Sequence, residues 1–175
     1  MLGKTGMSDE PRFHRWVRAS FATALYEEFM PVKVQGLGRL DQDLFEQDKL
    51  ILAGAGAYAP ERDLGALSYH ITLSYLWVLG AYEVLRAINQ RCIESGRSDQ
   101  EVLQVLRQFE RLRMPLAKFE AANRHRDTDS KIAYPALNSE HGVAWEVAEN
   151  VFISRGVLSG ALLALLENKR AIAVV

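Results

Sequence analysis

The sequence predicts a mainly α-helical domain: a bundle of four to five helices around one long central helix, with a small antiparallel β-hairpin near the C-terminus. Three observations carry this reading. Apolar residues recur at three- and four-residue spacing along most of the chain, which is the helical period. Leu64 to Tyr82 contains no Asp, Glu, Lys or Arg, and a helix apolar on most faces belongs at the centre of a bundle. After Asp129 the period falls to two, the mark of strands. A chain of 175 residues suits a single domain and can bury a sizeable core; residues 1–8 are read as lying outside it.

The first helix is expected from Pro11 to about Phe29. Ser8 is its N-cap, Asp9 and Glu10 complement its positive end, and Pro11 is tolerated in the first turn. Phe13, Trp16, Val17, Phe21, Ala24 and Leu25 form its apolar stripe, and Pro31 ends it. Gly36 and Gly38 predict a loop. Asp41 then caps a short second helix carrying Leu44, Phe45, Ile51 and Leu52, and Gly54, Gly56 and Pro60 predict another loop. The third helix runs from about Asp63 to Glu94, with Leu76 and Trp77 buried.

Ser98-Asp99-Gln100-Glu101 has the form of a capping box and starts the fourth helix. Its apolar stripe is Val102, Val105, Leu106, Phe109, Leu112, Leu116 and Phe119. Pro115 cannot donate to the Arg111 carbonyl, so a kink is expected there, with the helix continuing to about Asn123. Ile132, Tyr134 and Ala136 alternate, as do Val143, Trp145 and Val147, with a turn over Asn138 to Gly142 between them. Pro135 makes the first strand an edge, and Val151 to Ser154 adds a short third strand. A last helix, Gly156 to about Lys169, precedes an apolar tail, Ala171 to Val175, that needs cover.

Composition excludes several classes. Twenty-one basic against 22 acidic residues give a net charge of −1, so no domain-wide basic footprint exists and nucleic acid is not an expected partner. The single cysteine, Cys92, excludes a disulfide scaffold. The polar N-terminal segment lacks the apolar run of a signal peptide, which points to the cytoplasm. Leu64 to Tyr82 has about the ~20-residue length of a membrane span, but Ser68, His70, Thr72 and Ser74 lie within it and Asp63 and Glu83 flank it, so it reads as a core helix. There is no Gly-x-Ser-x-Gly elbow, no Cys pair and no His-x-x-x-His, so neither a serine nucleophile nor zinc is indicated. No histidine follows an arginine at the four-to-six-residue spacing that marks the HEPN-type helical nucleases. No metal and no cofactor are expected.

Several groups remain as candidate sites. Arg107, Arg111 and Lys118 fall in a narrow sector of the fourth helix, beside Arg113 and the Pro115 kink, and guanidinium forks match phosphate or carboxylate oxygens. His70, Ser74 and Trp77 share one face of the central helix, and Tyr75, Tyr82 and Arg86 another; buried polar groups there either bind a ligand or satisfy one another. In an extended loop His125, Asp127 and Asp129 would point one imidazole and two carboxylates the same way, for metal or acid–base work. Gly54-Ala55-Gly56-Ala57-Tyr58-Ala59 has dinucleotide-loop spacing but lacks a strand before it. Glu140-His141 at the hairpin, beside Trp145, is a further pair. The leading functional reading is a non-enzymatic binding or protein-interaction module acting as a homodimer, built on the last helix and the hairpin through Leu162 and Trp145. The alternatives are a protein for a small anionic ligand using the kinked fourth helix, and an enzyme using a His/Asp cluster.

Overall fold

The computed structural model describes residues 10–54 and 64–173. Its elements are α1 (Arg12–Ser20), α2 (Met30–Leu52), α3 (Leu64–Glu94), α4 (Gln100–Ala117), β1 (Tyr134–Asn138), β2 (Gly142–Ala148), β3 (Val151–Ser154) and α5 (Arg155–Ala173), with short 3₁₀ turns at Phe21–Leu25 and Asn123–His125. The mainly helical fold with a small C-terminal antiparallel sheet is therefore as the sequence predicts.

α1 is shorter than its apolar stripe suggests. Ser20 Oγ donates to Val17 O and Thr23 Oγ1 to Ser20 O, each at 2.6 Å. Such back-bonding competes with the helical ladder, and the chain tightens into the 3₁₀ turn. Pro31 then sits in the first turn of α2, where its missing N–H costs nothing. The loop expected at Gly36 and Gly38 does not exist, because both lie inside the 23-residue α2. A Cβ on Gly38 would stand 2.4 Å from Trp16 Cβ, so this glycine lets α1 and α2 pack closely. Asp41 consequently caps nothing; it is buried mid-helix.

α3 is not enclosed on all sides. It packs against α2, α4 and α5 and buries Trp77, Val78, Ala81, Leu85 and Ile88, but Leu76 is 50% exposed. Among the described residues these helices leave Tyr69 and Leu76 exposed. Among the described residues α3 is the one helix long and apolar enough to cross a bilayer; 44% of its most apolar window is buried within the protein. At the core's centre Trp77 meets Trp16 edge-on, centroids 6.3 Å apart, and Phe109 at 6.1 Å. Its indole N–H donates to Leu37 O at 2.9 Å.

The α4 N-cap is Asp99, not Ser98: Val102 N donates to Asp99 Oδ1 at 3.2 Å, and Lys169 Nζ approaches the same carboxylate. α4 ends at Ala117, soon after Pro115, instead of continuing to Asn123. The proline removes a donor from the last turn, and Phe119, at φ 56°, turns the chain back. The sheet has order β1-β2-β3, all antiparallel, with Pro135 opposite Trp145 and Trp145 opposite Ile153. β1 is the edge expected of a proline-bearing strand. Val143, Trp145 and Val147 enter the core together with Leu158, Leu162 and Leu163 of α5. The dimer face expected on Leu162 and Trp145 is thus internal. The period-two and helical stripes are real, but they cover each other within one chain.

Candidate functional site

Two features stand out: a buried ionic network and an open groove. The network starts on α2, where Asp41 and Asp48, two helical turns apart, face inward. Arg155, the first residue of α5, reaches both. Its NH1 donates to Asp41 Oδ1 and its NH2 to Asp48 Oδ2, each at 2.6 Å. Asp41 also accepts from Ser159 Oγ (2.5 Å), Arg12 Nε (2.6 Å) and Trp16 Nε1 (2.7 Å). Arg12 NH2 closes the circuit onto Ser159 Oγ at 2.5 Å.

Asp48 accepts from Val143 N at 3.1 Å and pairs with His70 Nε2 at 2.8 Å. A carboxylate only accepts, so Nε2 carries the proton. Burial pushes the Asp48 carboxyl up, but the His70 hydrogen bond and the Arg155 charge outweigh it and hold the group below its ordinary range. Gly142 has φ +71°, and a Cβ there would lie 2.1 Å from Asp48 Cγ; only glycine admits the carboxylate over the hairpin. Two carboxylates face two guanidiniums, so the charges balance. Arg155 itself is 0% exposed and stacks 5.8 Å from the Trp77 centroid. Among the described residues its Nε, like Ser74 Oγ, has no hydrogen-bond partner. The network joins α1, α2, α3, β2 and α5, and Asp41, Asp48, His70 and Arg155 are all buried, so it acts as an internal clasp.

The sequence-derived candidates divide accordingly. His70, Ser74 and Trp77 do share a buried face, and His70 and Trp77 are satisfied within the protein. Tyr75 is half-buried. Tyr82 lies under the Arg113 guanidinium at 4.9 Å, whereas Arg86 pairs with Glu83 at 2.7 Å, so these residues do not enclose a common pocket. Arg111 donates a two-pronged pair to Asp129 at 2.8 and 2.9 Å. Burial pushes the Asp129 carboxyl up, and Arg111 more than offsets this and keeps it low. Lys118 is exposed beyond the end of α4 and Arg107 faces a different hollow, so the three cations do not converge. His125 lies in a 3₁₀ turn instead of an extended loop, which separates it from an alignment with Asp127 and Asp129. Among the described residues no group of three His, Cys, Asp or Glu is placed to hold a metal. Glu140 and His141 form an exposed pair at 3.7 Å. Gly54 follows a helix, not a strand; the rest of the Gly54–Ala59 stretch lies outside the described residues.

The groove, with a volume of about 1000 Å³, runs between α2 and α3. Gly36 and Gly80 widen it, since neither carries a side chain. Met30, Leu37, Leu40, Val84 and Ala87 form its apolar walls. Glu27, Lys33, Glu83, Arg86 and Arg91 rim it, and Phe29, 68% exposed, stands at its mouth. Sequence reasoning missed both features. The signal available for the network was two acids at core positions of one helical stripe; the groove gave none once Gly36 was read as a loop. No family model, no curated protein and no solved structure matches this chain.

Proposed function

We propose that the protein is a homodimeric interaction module whose two copies meet along the α2–α3 groove. The observation that supports this is the apolar lining of the groove, Met30, Leu37, Leu40, Val84 and Ala87, with the exposed Phe29 at its mouth. Phe29 lines the groove and is 68% exposed; Val32, one turn later on α2, and Leu76, one turn before the groove residue Gly80 on α3, lie outside the lining and are exposed too. Isolated exposed apolar residues are ordinary, but a cluster around an apolar groove marks an interaction surface. The rim carries both signs, Glu27 and Glu83 with Lys33, Arg86 and Arg91. A patch that meets its own copy about a two-fold axis needs this mixture, because each positive group must find a negative one. Ion pairs within the chain, Arg86 to Glu83 and Arg91 to Glu27, already neutralise part of the rim, so the association is chiefly apolar and survives high salt.

Light scattering at low micromolar concentration, at low and high salt, tests the reading. The wild type has twice the chain mass under both conditions. Phe29→Glu and Leu76→Glu, at exposed positions where the fold tolerates them, give the monomer mass, whereas Phe152→Glu on the sheet remains dimeric. A monomeric wild type overturns the proposal.

A further inference from the structure

A second and separate site lies where the chain turns back after α4. We infer that Arg107, Arg124, His125, Asn123 and Glu110 form a binding site for hydrogen phosphate. These residues line a hollow of about 190 Å³. That is smaller than the ~300 Å³ at which pockets for drug-sized molecules begin. At ~30 Å³ per water it is the space of about six waters, which suits a tetrahedral oxyanion of five heavy atoms with part of its hydration.

The fold makes the hollow in two steps. α4 presents Arg107 and Glu110 on adjacent turns of one face. The chain then reverses at Phe119, buries Ala121 and Ala122, and lays the Asn123–His125 turn against that face. Between Arg107 and Lys131 the chain carries seven Lys or Arg against four Asp or Glu, so the local potential is positive in a protein whose net charge is −1.

The basic groups here differ in what they already hold. Arg111 is taken up by Asp129, and Arg113 by the Tyr82 ring. Arg126 donates to Asn123 Oδ1 at 2.9 Å, which leaves the Asn123 amide NH₂ to donate. Arg107 and Arg124 have no hydrogen bond or ion pair among the described residues, and both border the hollow. Two uncommitted guanidinium forks, an amide and an imidazole are a donor set for oxyanion oxygens.

Glu110 decides which oxyanion. Its carboxylate only accepts, and it repels an oxygen that carries no proton. Hydrogen phosphate brings a P–OH group that can donate to Glu110 while its other oxygens take the arginine N–H groups. Sulfate at neutral pH has no proton to give, so it meets the same cations with an uncompensated repulsion. The site therefore selects phosphate by its proton, not by charge or size.

Titration calorimetry at pH 7 with inorganic phosphate and with sulfate, at matched ionic strength, tests this on the whole chain. Phosphate binds at least about tenfold more tightly than sulfate, the factor expected for one hydrogen bond to a charged group. Arg107→Gln and Arg124→Gln each weaken phosphate by about tenfold or more, with circular dichroism and thermal midpoint in the absence of anions unchanged for the exposed Arg124 variant. Glu110→Gln narrows the gap between the two anions. No heat with phosphate, equal binding of sulfate by the wild type, or phosphate binding indifferent to Arg124→Gln each overturns the assignment.

Discussion

Replacing Arg155 by methionine tests the internal clasp most directly. The variant keeps a long unbranched side chain but removes the cation held between Asp41 and Asp48 at 2.6 Å from each. Asp41 retains Arg12, Trp16 and Ser159, and Asp48 retains His70 and the Val143 amide. The two carboxylates then share one guanidinium and one imidazole in a site with no water contact at Arg155. Removing one partner of a buried ion pair costs about 3–5 kcal/mol, from a total stability of about 5–15 kcal/mol. For a chain of this size, about 2–4 °C per kcal/mol, the thermal midpoint should fall by about 6 to 20 °C.

The pH dependence supplies an independent readout. In the wild type the Asp48 carboxyl is held below its unfolded value of about 3.9. Its contribution is present above that pH and is lost as pH falls through the lower folded value. Without Arg155 the burial of Asp48 is less opposed, so its folded value moves up. The variant then gains relative stability as pH falls from 7 towards 4, and its deficit narrows. Urea denaturation of both proteins at pH 7, 5.5 and 4.5 measures this. A deficit under about 1 kcal/mol at pH 7, or one that does not narrow on acidification, would refute the account of the network.

Three further outcomes follow from other features. Gly142→Ala should destabilise by several times the ordinary ~1 kcal/mol glycine effect, because its Cβ would overlap Asp48 at a φ of +71°; a midpoint within a degree of wild type refutes it. Leu85→Ala should cost about 2–5 kcal/mol and Leu76→Ala under about 1 kcal/mol, since Leu85 is buried and Leu76 half exposed; equal urea midpoints would contradict that packing. The Cys92 thiol, buried and pushed up by that burial, should react with a thiol reagent at pH 8 far more slowly in the folded protein than in urea; similar rates would place it at the surface.

The fold was largely legible in the sequence, because helix and strand periods are local. Phe109 and Leu112 of α4, and Leu158 and Leu162 of α5, lie where their stripes put them. What escaped depends on partners far along the chain. Gly38 resembles a loop residue until Trp16 is known to press against it, and Asp41 resembles a cap until Arg155, 114 positions away, is seen to reach it. Leu76 follows the same apolar run as Trp77, yet nothing local says which side of α3 the other helices leave exposed. Among the anion-site candidates, Arg107 was found by its helical position. Arg124 and Glu110 were not, because the reversal at Phe119 that brings them together has no glycine to announce it.

The arrangement of the clasp also bears on how the chain acquires its structure. Every tie to Asp41 or Asp48 from the last helix or the hairpin spans about 95 to 118 positions. Pairings of such long range are slow to form, since the intervening chain must be ordered before they reward it. During synthesis from the N-terminus, α1 to α4 are complete before Arg155 has been made. Until then Asp41 has Arg12 and Trp16, and Asp48 has His70, but the guanidinium that bridges the two acids is missing. The turn from β3 straight into α5 places Arg155 directly after the sheet, so the bridge between the two acids depends on the last part of the fold. A chain interrupted before residue 155 would therefore lack the cation that ties the two acids of α2 to each other.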